Sequence, residues 1–226
     1  TALSGPAIAI KSKPRAIWIW LRGDHRGQLL HRPRDILDTL ADHAQLVDVT
    51  VGFCYGESLV LTGYEVGTVN PSGDDALAAG FVSGAGAGLD GSSFVAVQQW
   101  LHNLDHFQAL PQDAQDNIIG RRRADNEEFD EAPASAHVKR TAQESFDPEA
   151  FILRRSMPWA TADRQGLVFV AFGRSFDLFE TLLRHMIGLV DGVVDGLFSF
   201  TRPVSGAYYW CPPARDGRLD LSALDL

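Results

Sequence analysis

The sequence predicts an α+β protein made of ferredoxin-like units with antiparallel sheets, and the first unit is incomplete. From Ser93 to Cys211 the apolar patterns follow the order strand–helix–strand–strand–helix–strand, which is the order of one ferredoxin-like unit. The region before it, Ala16–Tyr55, contains only strand–helix–strand. A sheet of two strands leaves its edges and its apolar surface uncovered. We therefore expect this half-unit to pack on the second unit, on another chain, or on both.

Each element of the half-unit has its own pattern. Ala16–Arg22 is rich in β-branched, aromatic and aliphatic residues, which predicts a strand. Residues 23–32 are polar and turn-like, and Pro33–Ala44 has apolar residues at helical spacing with Pro33 near its start. Leu46–Tyr55 alternates apolar and polar residues, as a half-buried strand does.

The second unit is predicted in the same way. Ser93–Leu101 is a strand, Asn103–Gly120 is a helix that ends at its glycine, and Arg121–Gln143 is a long charged loop. Two strands, a helix capped by its first serine and a last aromatic strand follow: Phe151–Ser156, Leu167–Gly173, Ser175–Leu189 and Ala207–Cys211.

These elements divide the chain into four parts. Residues 1–60 hold the half-unit, with a lead-in of little periodicity over residues 1–14, and residues 61–91 hold a glycine-rich loop and a connector. Residues 92–213 form the complete unit, and residues 214–226 are a C-terminal tail.

Composition excludes some classes of partner. The 226 residues carry a formal charge of −9, which disfavours nucleic acid and anionic membranes because both attract basic surfaces. No apolar run is long enough for a membrane span. The two cysteines, Cys54 and Cys211, form no CxxC pair, and no secretory signal is visible. We therefore expect a cytoplasmic protein.

One loop has a distinctive composition, Gly63-Tyr64-Glu65-Val66-Gly67-Thr68-Val69-Asn70-Pro71. Its two glycines and its Asn-Pro pair exclude a helix or a central strand, and such a loop can bring backbone close to a ligand. It resembles the Gly-x-x-Asp-Gly-Thr-x-Asn-Pro loop that covers the distal face of the haem in dye-decolourising (DyP-type) peroxidases. The spacing is kept, but Val66 stands at the position of the catalytic Asp.

Further stretches resemble the bacterial members of this family, in the same order. They are Ser92–Leu104, Ile119-Gly120-Arg121, Ser135-Ala136-His137, Arg154-Arg155-Ser156 and the closing run Asp191–Pro212. The resemblance covers roughly Ala16 to Pro213, nearly the whole chain. It implies two ferredoxin-like units in the dimeric α+β barrel arrangement, with the opening strand–helix–strand of the first unit missing here.

The resemblance also implies a function. The family binds haem b and uses hydrogen peroxide to oxidise small organic reductants through high-valent iron. The exposed sheet edges of the half-unit imply a homo-oligomer or a partner chain that covers the incomplete unit.

The resemblance assigns site residues on both sides of a haem. His137 matches the axial ligand of the iron, and Asp195 matches the acid that bonds the proximal histidine and makes its imidazole a stronger donor. Arg154 matches the distal arginine, which polarises peroxide, and Ser156 matches a polar position that orients water. Alternation along a strand places Arg154 and Ser156 on one face. The matched loop adds Val66, Gly67, Thr68 and Asn70 as haem contacts, and Leu167 and Phe169 are expected in the apolar wall.

Val66 leaves three interpretations open. A positioned acid–base group contributes about 10²–10⁴-fold to a proton transfer, and valine cannot supply it. The protein is then a haem-dependent oxidoreductase with weakened peroxidase chemistry that depends on Arg154 and water. Alternatively it is a haem-binding protein for storage, transfer, sensing or another haem reaction, without peroxidase turnover. The third interpretation is a structural fragment without haem.

Other patterns have weaker claims. His102 and His106 are four apart, as in helical metal pairs, but a third ligand is missing. The run Gly84–Gly88 lacks the Lys-Ser/Thr of a phosphate loop and is expected to be a connector. The tail 216–224 weakly resembles the address by which some family members enter protein nanocompartments, and we expect it to be disordered.

Overall fold

The structure is a computed structural model that describes residues 2–65 and 67–226. The chain divides into two compact units, residues 15–51 and the remainder of the chain. Within the described residues, no helix is both long and apolar enough to cross a membrane. The larger unit is α+β and its sheet is antiparallel, as predicted.

The sheet of the larger unit is organised around its longest strand, β3 (Ser93–His102). β3 pairs with β6 (Gln165–Gly173) on one side and with β7 (Thr201–Pro203) and β8 (Ala207–Cys211) on the other. Two short strands, β4 (Leu153–Arg154) and β5 (Met157–Ala160), pair with the outer edge of β6. The sequence predicted one strand over 151–156. The structure instead has two short strands, β4 and β5, which pair with β6 in one continuous register.

One amphipathic helix covers the sheet, α6 (Phe176–Met186). The side chain of Ser175 accepts a hydrogen bond from the backbone nitrogen of Asp177 at 3.2 Å, which confirms the predicted N-cap. Leu178, Phe179, Leu182 and Leu183 are buried in the main core together with sheet residues. This face of the helix fixes the wall of the cavity described below.

The helix predicted over 103–120 is broken in two, α3 (Leu104–Ala109) and α4 (Gln112–Ile119). Pro111 is the reason, because the residue before a proline avoids the helical region, and Leu110 is extended with ψ 147°. Gly120 adopts φ +91° after α4, so the predicted glycine stop is confirmed.

Four stretches predicted without regular structure contain it. The lead-in contains a hairpin of β1 (Leu3–Ser4) and β2 (Ala9–Ile10), which places Leu3 and Ile10 in the core. The connector contains α2 (Gly73–Gly80), and the charged loop contains α5 (His137–Arg140). The tail forms a hairpin of β9 (Ala214–Arg215) and β10 (Arg218–Leu219). These elements are short, so their apolar periodicity is too weak to read from the sequence.

Residues 15–51 contain one helix, α1 (Arg26–Leu40), and every residue of this range is described. The helix starts seven residues before its predicted start, so Pro33 lies inside it and residues 26–32 are not a turn. The predicted strands Ala16–Arg22 and Leu46–Tyr55 form no ladder; Gly52 alone makes an isolated bridge. An apolar alternation shows only which side chains share a face, whereas a strand is defined by ladder hydrogen bonds to a second strand.

Candidate functional site

A cavity of about 790 Å³, measured with its open mouth, lies where α6 faces β3 and β6. Most of its lining is apolar, contributed by β6, α6 and the turn after Asp195: Leu167, Phe169, Phe179, Leu182, Met186 and Leu197. Leu167 and Phe169, which the sequence predicted for an apolar wall, both lie here.

His137 lines this cavity and is the first residue of α5. Its Nδ1 donates a hydrogen bond to Oδ2 of Asp195 at 2.7 Å. Asp195 is 1% exposed, and its other oxygen accepts a hydrogen bond from the backbone nitrogen of Leu197 at 2.8 Å. The carboxylate therefore orients the imidazole and also caps the turn Gly196–Ser199. With Nδ1 committed, Nε2 is the ring atom that remains for a ligand.

Arg154 and Ser156 line the same cavity, as the alternation of a strand predicts. The Arg154 backbone is held by Asn70, whose Oδ1 accepts from its nitrogen at 2.9 Å and whose Nδ2 donates to its oxygen at 3.1 Å. Nε and Nη2 of Arg154 are buried and bond to no other described residue. Burial lowers the pKa of Arg154, and the charge of Arg121 lowers it further. The guanidinium that lines the cavity is thus a desolvated cation, and two of its nitrogen atoms are hydrogen-bond donors that no other described residue uses.

The loop at 63–71 is fastened on both sides of Val66, which itself lies outside the described residues. Tyr64 donates its hydroxyl to Asp116, and burial together with that carboxylate raises the pKa of Tyr64. Asn126 donates to Glu65 at 2.9 Å and to Thr68 at 3.1 Å. The carboxylate of Glu65 is therefore engaged by the amide of Asn126.

The two glycines of this loop have left-handed backbone angles, φ +85° at Gly63 and φ +80° at Gly67, which other residues resist. Gly67 accepts the backbone hydrogen bond of Asn70 at 2.9 Å. Of the predicted loop contacts, Asn70 reaches the site through the Arg154 backbone, while Thr68 binds Asn126. Haem contact by Gly67, Thr68, Asn70 and Val66 stays a prediction.

The histidine pair does not form a metal site. His102 is bonded through Nδ1 to Thr201 at 2.6 Å, whereas His106 is exposed on α3. Across the described part of the chain, no group of three His, Cys, Asp or Glu side chains could hold a metal ion.

Three polar or aromatic residues at the cavity were missed from the sequence. Gln98 and Trp100 lie on β3 opposite Phe169 and Leu167, and the Trp100 indole donates to Gln98 Oε1 at 3.1 Å. Gln143 is 2% exposed and accepts from the backbone nitrogen of Ile152 at 2.8 Å. A glutamine on the inward face of an apolar strand was the available signal for Gln98.

Comparison with known proteins is consistent with this geometry. The family described as "Dyp-type peroxidase, C-terminal" matches residues 57–216. A protein named "Dye-decolorizing peroxidase" from Rhodococcus erythropolis is 34% identical over 185 residues, covering 79% of this chain and 54% of the relative. One of the same name from Mycolicibacterium paratuberculosis is 27% identical, covering 98% of this chain and 70% of the relative. The chain therefore spans about half the length of the first relative and more of the second.

Two solved structures are similar across most of the chain. The dye-decolorizing protein from Vibrio cholerae has a TM-score of 0.76 at 32% identity, covering 83% of this chain and 63% of that one. An arginine-to-leucine variant of DypB from Rhodococcus jostii RHA1, in complex with heme, has a TM-score of 0.85 at 27% identity, covering 97% and 73%.

Proposed function

The chain belongs to the Dyp-type peroxidase family, and on that premise we propose that it is a haem b protein with His137 as the axial ligand of the iron. The observation that carries this proposal is the bond from His137 Nδ1 to the buried carboxylate of Asp195, beside an apolar cavity. A carboxylate on one ring nitrogen fixes the tautomer and makes the other nitrogen a better metal ligand.

The residues around the cavity fit a haem. A largely apolar wall suits the porphyrin. The guanidinium of Arg154 has buried donors that bond to no other described residue, which is costly unless a ligand uses them. The apolar wall and the unbonded donors of Arg154 together fit a haem that binds a polar ligand on its open side.

The haem, when bound, supplies the oxidising chemistry, with hydrogen peroxide as its oxidant and a small organic compound as its reductant. Residues of the chain hold the haem and the peroxide. His137 would bind the iron, and Asp195 holds the imidazole of His137 in place. The fixed donors of Arg154 bind peroxide and stabilise negative charge on its departing oxygen. Asn70 keeps the Arg154 backbone in position, so that these donors do not have to reorganise during the reaction.

Val66 favours a second candidate, a haem-binding protein for storage, transfer, sensing or another haem reaction. Peroxide cleavage needs a group that moves a proton between its two oxygens. A valine side chain has no such group, Glu65 is engaged by Asn126, and Arg154 is too weak an acid to exchange its proton near neutral pH. The second candidate therefore has no peroxidase turnover, whereas the first candidate keeps slow peroxidase chemistry that depends on Arg154 and water.

Haem binding is tested by titrating the apoprotein with haemin. The wild type and the exposed-histidine control His106→Ala are expected to develop the Soret band of a histidine-bound haem, while His137→Ala is not. An apoprotein that folds and takes up no haem would overturn the proposal and favour a structural fragment.

Peroxidase turnover is tested by mixing the haem-loaded protein with peroxide and following the Soret band and dye oxidation. Val66→Asp is expected to accelerate the reaction by about 10²–10⁴-fold. The control Val69→Asp places a carboxylate on the same loop at an exposed position and is expected to change little. Rapid dye oxidation by the wild type would exclude the second candidate. No reaction in wild type, but reaction in Val66→Asp, would establish it.

We also propose a reducing cytoplasmic location and a partner for the incomplete unit. Both cysteines are free, Cys54 exposed and Cys211 half-buried, which suits a reducing compartment. The uncovered apolar segments of residues 15–51 call for another polypeptide segment to cover them.

A further inference from the structure

The strand that carries Arg154 is at the edge of the sheet. β4 contains two residues and pairs with β6 on one side. Just after β4, the backbone nitrogen of Arg155 donates to the oxygen of Val170 in β6 at 2.8 Å. The backbone nitrogen atoms of residues 150, 152 and 154 donate instead to residues outside the sheet. This alternation is the pattern of an edge strand whose outer N–H groups find other acceptors.

Gln143 supplies two of these acceptors. Its backbone oxygen accepts from the nitrogen of Ala150 at 2.9 Å, and its side-chain Oε1 accepts from the nitrogen of Ile152 at 2.8 Å. Asn70 supplies the third, because its Oδ1 accepts from the nitrogen of Arg154. Two side-chain amides thus take the place of a neighbouring strand along this segment. A buried N–H group without an acceptor costs stability, so these contacts hold the strand in place.

Gln143 also belongs to the segment of the proposed haem ligand. The turn Gln143–Ser145 follows α5, the helix that begins with His137. The hydroxyl of Thr141 donates to the oxygen of His137 at 2.8 Å, which fastens the end of α5 to its start. Gln143 is 2% exposed, so its side chain is fixed by its surroundings. It therefore joins the segment that carries the histidine to the strand that carries the arginine.

The two ends of this link are held unequally. His137 bonds to the buried carboxylate of Asp195, and that bond does not involve Gln143. At the other end β4 is only two residues long, and its outer edge depends on Gln143 and Asn70. Loss of the Gln143 contacts is therefore expected to displace Arg154 more than His137.

We propose that Gln143 is a positioning residue, which holds the guanidinium of Arg154 in the place where it binds a polar ligand of the haem. The proposal rests on the proposed haem binding. Gln143 acts through the backbone of the strand, by way of its bond to Ile152. Because Gln143 also lines the cavity, direct contact of its amide with the ligand is the alternative that the experiment separates.

Fluoride measures the donors of Arg154, because an anion bound to the iron of the haem-loaded protein accepts charge-assisted hydrogen bonds from a guanidinium. Titration followed by visible absorption gives its Kd. Arg154→Met is expected to weaken fluoride binding by about 10–100-fold. Gln143→Met keeps the length of the side chain but not the acceptor, and should weaken it by about tenfold. The haemin affinity of Gln143→Met should stay at the wild-type value, since the bond between His137 and Asp195 remains.

The double variant separates positioning from direct contact. If Gln143 acts through Arg154, adding Gln143→Met to Arg154→Met has no further effect on fluoride affinity. Additive losses would show direct contact and overturn the proposal. The control Gln115→Met removes another buried glutamine, which donates to the oxygen of Leu110 at 2.8 Å and does not line the cavity. It should leave fluoride affinity unchanged.

A variant that fails to fold is replaced by a milder one. Gln143→Asn keeps an amide that is one methylene too short to reach Ile152, and the same loss of fluoride affinity is expected. Equal fluoride affinity in the wild type and the Gln143 variant overturns the proposal and leaves haem binding intact. A wild-type apoprotein that takes up no haem overturns the proposed function and this inference with it.

Discussion

The guanidinium of Arg140 holds the carboxylate of Asp191 by two hydrogen bonds, Nη1 to Oδ2 at 2.7 Å and Nη2 to Oδ1 at 2.8 Å. Arg140 is one helical turn after His137 on α5, and Asp191 is four residues before Asp195. The same two segments are thus joined twice, once through the histidine and once through the arginine. Because Arg140 is only 3% exposed, this second link is a rigid support for the proposed haem ligand.

Removing the Arg140–Asp191 pair is expected to hold the imidazole of His137 less rigidly and to lower the stability of the chain. Arg140→Met deletes the charge-assisted hydrogen bonds of a buried guanidinium, so we expect the free energy of unfolding to fall by about 2–3 kcal/mol. Haem affinity should fall by up to about tenfold, since the ligand loses its outer support. Urea unfolding of the apoprotein and haemin titration measure the two effects. Arg122→Met, which removes an exposed arginine with two acidic partners, is the matched control and should change neither.

Asp195 has two functions that two substitutions separate. Asp195→Asn keeps an oxygen to accept the bond from Leu197 but loses the charge beside His137, whereas Asp195→Ala loses both. Both variants should bind haem about 10–100-fold more weakly. Only the alanine variant should lose the cap, so the apoprotein of Asp195→Ala is expected to be about 1 kcal/mol less stable than that of Asp195→Asn. Equal haem affinity in wild type and Asp195→Asn would contradict the assigned role.

The half-buried imidazole of His102 should make the free energy of unfolding depend on pH. Burial lowers its pKa from 6.5 to about 4, so the folded chain resists a proton that the unfolded chain accepts. The free energy of unfolding is therefore unaffected above about pH 7 and falls as the pH drops from there toward 4. The loss between pH 7 and pH 5 is at most about 2 kcal/mol, and smaller because the ring is partly exposed.

The substitution His102→Gln should remove this part of the pH dependence. Urea unfolding at pH 7 and pH 5 is expected to show a smaller difference in the variant than in the wild type, by about 1 kcal/mol. His106→Gln changes an exposed histidine on the neighbouring helix and should keep the wild-type difference. An unchanged difference in His102→Gln would assign the acid sensitivity to other groups.

The fold was predictable where patterns are long. The apolar runs of β3 and β6 and the apolar face of α6 are clear in the sequence, so the α+β class and the antiparallel sheet were predicted correctly. The predicted strands Ala16–Arg22 and Leu46–Tyr55 failed for another reason. Alternation of side chains shows which residues share a face, but ladder hydrogen bonds make a strand, and those depend on residues elsewhere in the fold.

The site was predictable only through family resemblance. Nothing local in the sequence connects His137 with Asp195, 58 residues later, or Asn70 with Arg154, 84 residues later. The resemblance supplied Arg154, His137 and Asp195 together but could not supply the Arg140–Asp191 link, which depends on where α5 ends. Long-range hydrogen bonds of this kind follow from the completed packing rather than from any segment.

We expect Arg154 to destabilise the apoprotein and to accelerate the reaction of the haem-loaded protein with peroxide. Its Nε and Nη2 are buried and bond to no other described residue, and burial lowers its pKa, so the apoprotein bears the cost of a desolvated cation. Arg154→Met should therefore raise the free energy of unfolding of the apoprotein by about 1–3 kcal/mol. The same substitution should slow the reaction of the haem-loaded protein with peroxide by about 10²–10³-fold, because the fixed donors are lost. Arg155→Met, which removes the exposed neighbouring arginine, should do neither. A destabilised Arg154→Met apoprotein with unchanged peroxide reactivity would show that the guanidinium serves the fold rather than the cavity.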